Sequence, residues 1–153
     1  MTGEYNIQHL TADDVEFMRS LLGIFGDAFN EIETYRNQQP STSYLKQLLS
    51  KDHFIALVAL KSNDVVGGLA AYELHKFEQE RSEIYIYDLA IKRAHRRKGV
   101  ATALIRALKE IAIIRGVWVI FVQADYSDAP AIALYEKLGM REEVLHFDIP
   151  VRE

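Results

Sequence analysis

The sequence contains no cysteine and only three prolines among its 153 residues. The first absence rules out a disulfide framework, a zinc–thiolate site and a cysteine nucleophile. The second fits a chain with no Pro-rich linker, and no repeat or low-complexity tract divides it, so residues 1–153 read as one domain. No apolar run approaches the ~20 residues that a helix needs to cross a bilayer. The opening MTGEYNIQHLTADDVEF lacks the basic and apolar stretches of a secretory signal, which points to a soluble, cytoplasmic protein away from membranes. The histidines (His9, His53, His75, His95, His146) are scattered and form no HExxH, so no metal site is expected. GxSxG, GxxxxGK[ST] and GxGxxG are also missing, which leaves no serine elbow, P-loop or dinucleotide fingerprint. Positive charge is in deficit, with 18 Lys and Arg against 22 Asp and Glu and a formal net charge of -4. That balance disfavours nucleic acid and favours cationic partners.

The patterning that is present predicts an α/β domain. EYNIQHL alternates as a first strand. Thr11 reads as the N-cap of a helix that carries Val15, Phe17, Met18, Leu21, Leu22 and Phe25 and frays near Gly26. NEIETYRNQQPSTS reads as a loop, and YLKQLL as a short helix. HFIALVAL and VVGGLAAYEL form a hairpin through the turn KSND. EIYIYDLAI, apolar on both faces, predicts a central buried strand. A long helix then runs to Arg115, with Gly116 as its stop. VWVIFVQA, APAIALYEKLG and EEVLHFDI follow as strand, helix and last strand. Hairpins first and βαβ crossovers later give a mixed, mostly antiparallel central sheet flanked by helices.

One stretch, HRRKGVATAL, places Arg96, Arg97 and Lys98 directly before Gly99 and the long helix. A helix N-terminus carries positive partial charge and prefers acids, so cations there are in conflict with the dipole unless an anion is held between them. From spacing alone the run is either a solvated basic turn or an anion cradle. Val100, Leu104, Leu108 and Ile111 form the face that would pack on the sheet.

RRKGVA resembles the acyl-coenzyme A pyrophosphate loop, [Q/R]-x-x-G-x-[G/A], of the GCN5-related N-acetyltransferases, with Arg96, Gly99 and Ala101 at the matching positions. DAPAIALYEKLGM resembles the N-x-x-A-x-x-L-Y-x-K-L-G-[FM] segment of the same superfamily, with Asp128 in place of the usual Asn. Within that superfamily FIALVAL, KFEQERSEIYIYDLAI, VQADYSDAPAIALYEKLG and REEVLHFDI resemble the type I aminoglycoside 3-N-acetyltransferases, over Met18 to Ile149.

The resemblance implies acetyl-coenzyme A as co-substrate, direct attack by an amine, an aminoglycoside as acceptor, resistance as the outcome, and a homodimer. It implies that Leu89, Ala90, Ile91, Arg96, Arg97, Lys98, Gly99, Val100, Ala101, Thr102, Asp128 and Ala131 hold the co-substrate. Tyr135 matches the segment's tyrosine, expected to protonate the departing thiolate. Asp88 breaks an apolar strand at a cost of several kcal/mol unless it is bonded or functional, so it is the candidate base or a binder of the substrate cation. A polycationic acceptor calls for acids, and Asp125, Asp148, Glu142, Glu143, Glu31 and Glu33 are candidates. Glu31 and Glu33 lie on a plausible lid. Tyr87 and Tyr126 could pack on a sugar ring, with core packing the plainer role for Tyr87. Two other readings stay open: acetyl transfer to another polyamine or protein amine, and a non-catalytic acyl-coenzyme A-binding module.

Overall fold

A computed structural model describes residues 4–152. Residues up to Gln123 form one compact unit and those from Ala124 onward a second. The first unit holds β1 (Asn6–His9), α1 (Val15–Phe29), a single π-helical turn (Glu33–Asn37), α2 (Thr42–Leu49), β2 (Phe54–Lys61), β3 (Asp64–His75), β4 (Ser82–Ile91), α3 (Val100–Arg115) and β5 (Val119–Val122). The second holds α4 (Ala129–Leu138).

The sheet has the order β1-β2-β3-β4-β5. Its first three pairings are antiparallel, and β5 joins β4 in parallel through the α3 crossover. This is the mixed, mostly antiparallel sheet that the sequence predicts. β2 is buried along nearly its whole length because helices cover both of its faces, α1 and α2 on one and α3 on the other. α1 contributes Val15, Met18, Leu21, Ile24 and Phe25 to a core shared with Leu45, Leu49, Phe54, Ala56 and Val58. α3 buries Val100, Leu104, Ile105, Leu108 and Ala112. Gly68 on β3 lets α1 come close: a Cβ there would lie 2.5 Å from the Leu57 carbonyl oxygen and 2.7 Å from Leu21 Cδ1.

Several expectations are corrected. The cap of α1 is Asp14, not Thr11. Asp14 folds back so that its carboxylate accepts from the Thr11 backbone N–H at 2.8 Å, while Thr11 Oγ1 accepts only from Asp13 N, outside the helix. α1 does not fray at Gly26. It continues to Phe29 and ends on Asn30, a left-handed residue (φ 56°) whose N–H reaches the Gly26 carbonyl. The stretch expected as loop and lid carries the π turn and is pinned down. Arg36 makes a bidentate pair with Asp27 (3.1 and 2.8 Å), Tyr35 packs edge-on against Phe25 and Phe29, and Gln39 donates to the Arg19 and Tyr35 carbonyls. β4 is not buried on both faces, since Tyr87 is 60% exposed. The last strand expected at EEVLHFDI does not form: among the described residues no strand follows β5. A strand exists only with a ladder partner, and among the described residues this segment has none.

Candidate active site

β4 changes character halfway along. Asp88 pairs opposite Ala70 and Ile86 opposite Ala71, so Tyr87 is the extra residue of a β-bulge. The pairing with β5 stops at the same place, at Ile86 opposite Val122. From Tyr87 to Ile91 the β5 side of β4 is therefore unladdered, with backbone groups at Leu89 free to bond a ligand and the Ile91 carbonyl taken by Arg96 Nε. This opening includes Leu89, Ala90 and Ile91.

Asp88 sits at the bulge, partly buried. Burial raises its carboxyl from the usual 3.8 to about 6; a hydrogen bond from Tyr35 opposes that rise, and the negative charge of Glu31 adds to it. The Tyr35 hydroxyl donates to Asp88 Oδ2 at 3.2 Å. Among the described residues no cation pairs with this carboxylate. Burial, with the Asp88 charge next, pushes Tyr35 itself up to about 12, so the phenol keeps its proton. Tyr35 is the partner of Asp88 that sequence reasoning missed. It lies 53 positions before Asp88, in a stretch with no motif, and only the π turn brings it there.

A row of rings borders Asp88. Phe54, Tyr72, Tyr87 and Tyr85 follow one another at centroid distances of 5.3, 6.0 and 5.6 Å, and Phe121 stacks on Tyr85 at 4.8 Å. Tyr87 belongs to this open row and not to the core.

Beyond β4 the chain turns through Arg93–His95 into the basic loop. Arg97 (φ 61°) and Gly99 (φ 80°) both take left-handed backbone, and a Cβ on Gly99 would meet nothing within 4 Å. The first turn of α3 has no side-chain cap and no acid. By contrast Ser41 caps α2 by accepting from Tyr44 N at 3.2 Å, and Asp128 caps α4 by accepting from Ala131 N at 3.2 Å. α3 thus presents unsatisfied N–H groups at Val100, Ala101 and Thr102 beneath an open glycine, with Arg97 and Lys98 exposed beside them. Arg96 contributes less freely, because its Nε donates to the Ile91 carbonyl at 2.9 Å and so ties the loop to the end of β4.

In the second unit, burial and then the Asp128 charge raise Tyr135 to about 12. Tyr126 is exposed and donates its hydroxyl to the Glu143 carboxylate. Asp148 pairs with His146 Nε2 at 2.9 Å, while Asp125 and Glu142 are exposed. The structure thus brings together Asp88, Glu31 and Tyr87 around the bulge, and Arg96 to Thr102 at the head of α3.

The model of the Acetyltransferase (GNAT) family matches residues 18–140, which span both β4 and the basic loop. The chain belongs to the GNAT acetyltransferase family. No curated protein matches it. Among solved structures, this GNAT chain is 60% identical to the aminoglycoside acetyltransferase HMB0005 from an uncultured soil metagenomic sample, covering 97% of this chain and 99% of that one at a TM-score of 0.95. A second aminoglycoside acetyltransferase, meta-AAC0020, also from an uncultured soil metagenomic sample, has been solved with trehalose and with sisomicin. It is 31% and 30% identical in the two structures, with 98% of each chain covered and TM-scores of 0.91 and 0.90. The family uses acetyl-coenzyme A as co-substrate. The uncapped, acid-free head of α3 fits the pyrophosphate of such a molecule.

Proposed function

We propose that this GNAT enzyme transfers an acetyl group from acetyl-coenzyme A to the 3-amino group of aminoglycosides, by direct attack of the amine on the thioester, and so confers resistance. The observation that carries the reading is Asp88: an uncompensated carboxylate raised to about 6 at an opening in the sheet, in a chain so similar to an aminoglycoside acetyltransferase. A polyamine acceptor arrives as ammonium groups. An anionic Asp88 binds one of them, and with its proton affinity brought near neutrality it takes the proton that must leave before nitrogen can attack. Glu31 strengthens the negative field there, and Tyr35 holds the carboxylate in place. Tyr87 offers its ring to a sugar face. Asp125, Tyr126, Glu142 and Asp148 are the further substrate contacts of this reading.

The thioester supplies the activated acetyl group. The backbone from Arg97 to Thr102, with Arg96 and Lys98, holds the pyrophosphate, and Asp128 and Ala131 are assigned to the same molecule. The free edge from Leu89 to Ile91 bonds the amide-bearing arm and offers an N–H to the thioester oxygen. Tyr135 donates a hydrogen bond to the sulfur. A phenol at about 12 is a weaker acid than a thiol, which titrates at about 8.5. Tyr135 thus stabilises developing charge on sulfur more than it gives its proton away. Tyr135→Phe should lower kcat and leave the affinity for acetyl-coenzyme A near that of the parent.

The test is thiol release from acetyl-coenzyme A with a panel of gentamicin-type aminoglycosides, a simple polyamine and a peptide amine, with the acetylated position read by NMR. Release with the aminoglycosides and acetylation at the 3-amino group is the expected result. Acetylation at another amine overturns the position. Release only with the polyamine or peptide overturns the acceptor, and no release despite tight coenzyme A binding overturns catalysis.

A further inference from the structure

The register of the sheet sets four aromatic residues in one line. Phe54 on β2 pairs opposite Tyr72 on β3, Tyr72 opposite Tyr85 on β4, and Tyr85 opposite Phe121 on β5. Directly paired residues share a face, so these side chains cross the sheet as a single stripe. Tyr87, two positions beyond Tyr85, joins it, with its ring 6.0 Å from Tyr72 and 5.6 Å from Tyr85. The β-bulge adds a carboxylate. Ala70 and Tyr72 share a face of β3, and Ala70 pairs with Asp88, so Asp88 emerges on the side of Tyr85 although it stands three residues further along. Without the extra residue, Tyr87 and Asp88 would point to opposite faces.

An aromatic stripe across a sheet ordinarily belongs to a core. This one is buried only at its Phe54 end, which clusters with Leu45 and Leu49 of α2. Tyr72, Tyr85 and Phe121 are partly exposed, and Tyr87 is largely exposed. The rim is polar: the Tyr85 hydroxyl donates to Gln123 Oε1 at 3.0 Å, which leaves the Gln123 amide nitrogen as a donor. Ring faces carry the negative part of the aromatic quadrupole and attract C–H faces and ammonium groups. Asp88 and Glu31 add negative charge beside them. The surface is thus complementary to an amino sugar, and it runs beyond Tyr87 by two further rings. We propose that Tyr85 and Phe121 form a subsite for a second ring of the acceptor, so that the enzyme selects multi-ring amino sugars over single-ring amines. The assignment rests on the acetyl-transfer reading of Asp88: one sugar ring lies on Tyr87 with its amine at Asp88, and the ring joined to it lies on Tyr85 and Phe121, beside the Gln123 amide.

Calorimetry in the presence of coenzyme A, which carries no acetyl group to transfer, reads the subsite without turnover. The probes are neamine, which has two rings, and 2-deoxystreptamine, which is its ring with the 3-amino group alone. Neamine has more charges as well as more rings, so the quantity that decides is how its preference over 2-deoxystreptamine changes. In Y85L/F121L that preference is expected to fall roughly tenfold, and Y85F, which keeps the ring, should retain it. An unchanged preference in Y85L/F121L overturns the subsite, as does a parent that binds neither probe. A second measurement needs no variant. Saturating the aromatic protons of the parent in its neamine complex is expected to transfer magnetisation to both sugar rings, and transfer confined to the deoxystreptamine ring overturns the subsite. Thiol release separates the two readings: release without any ring preference removes the subsite alone, and ring preference without release from acetyl-coenzyme A removes acetyl transfer alone.

Discussion

Two carboxylates on neighbouring strands of one sheet meet opposite fates. Glu73 on β3 is only 8% exposed, yet its carboxyl is held below the usual range. Burial pushes it up, but the Ser82 hydroxyl donating at 2.6 Å and Arg115 donating at 2.7 Å together outweigh that push. Arg115 also donates to the Asp52 carbonyl, so the last residue of α3 anchors that helix to the β3 end of the sheet through a buried charge. Asp88 on β4 is less deeply placed and has only a phenol for company, and it rises to about 6. Depth does not separate the two; the partner does. Glu73 is built to stay ionised and hold the fold together. Asp88 is kept short of a partner, which costs stability and leaves a group able to bind a cation or move a proton.

The hardest way to break the comparison is to remove the group to which we assign the chemistry. Asp88→Asn should lower kcat/KM by roughly 100-fold or more. The pH profile tells base from binder. The parent's rate should rise as pH passes about 6 and Asp88 loses its proton, and a variant that has lost a base shows a reduced kcat without that limb. A variant that mainly raises KM and keeps kcat has lost a cation binder instead.

Next in size is the reverse operation, making Glu73 resemble Asp88. Arg115→Ala leaves a buried carboxylate without its cation, which should cost about 3 kcal/mol of stability and lower Tm by roughly 10 °C. The pH dependence should change with it. In the parent, Glu73 is lowered, so its contribution is full above the ordinary carboxylate range and is lost as pH falls through the lowered value. In Arg115→Ala burial is opposed only by the Ser82 hydroxyl and the His75 charge, and the carboxyl rises relative to the parent. The variant should then lose least, relative to the parent, at acid pH. Urea titrations at pH 4 and pH 8 check this.

Asp88→Asn should act in the opposite direction on stability. Folded Asp88 keeps its proton up to about pH 6, whereas in the unfolded chain it does so only to the usual 3.8. Between those values the folded state binds more protons, so this group makes stability fall as pH rises, and its cost is full above about 6. Removing the charge should stabilise the protein by at most about 3 kcal/mol at pH 8, less as solvent screens this partly exposed group, and by nothing at pH 3.5. A variant equally or less stable than the parent at pH 8 would show that Asp88 is satisfied in a way its surroundings do not reveal.

What was legible in the sequence divides along the same line. Alternation and 3.6-residue spacing locate β2, β3, β4 and α3 because each buries a continuous face whose period survives in the residue order. The candidate anion cradle is legible because its parts, Arg96 to Thr102, are consecutive, and the candidate base Asp88 because a lone acid interrupts IYIYDLAI. The partners of both carboxylates were not. Tyr35 reaches Asp88, and Arg115 reaches Glu73, only after α1, α3 and the sheet have packed, and nothing in the residue order marks either pair. The last strand was misread for a related reason. EEVLHFDI has the right alternation, but alternation specifies a face, while a ladder partner comes from elsewhere.

The finest test uses the two groups that adjust Asp88 without touching its charge. Tyr35 lowers the carboxyl by donating to Oδ2, and Glu31 raises it by its negative charge. Tyr35→Phe should therefore move the acid limb of the rate profile to higher pH, and Glu31→Gln should move it to lower pH. Both variants keep Asp88, so a binding or folding defect would lower the plateau without moving the limb, and opposite displacements identify the limb as Asp88 itself. Tyr35→Phe removes one hydroxyl and keeps the ring that packs against Phe25 and Phe29, so stability should change by no more than about 1 kcal/mol. A limb that stays fixed in both variants would belong to another group, and Asp88 would then join Glu73 as a structural carboxylate.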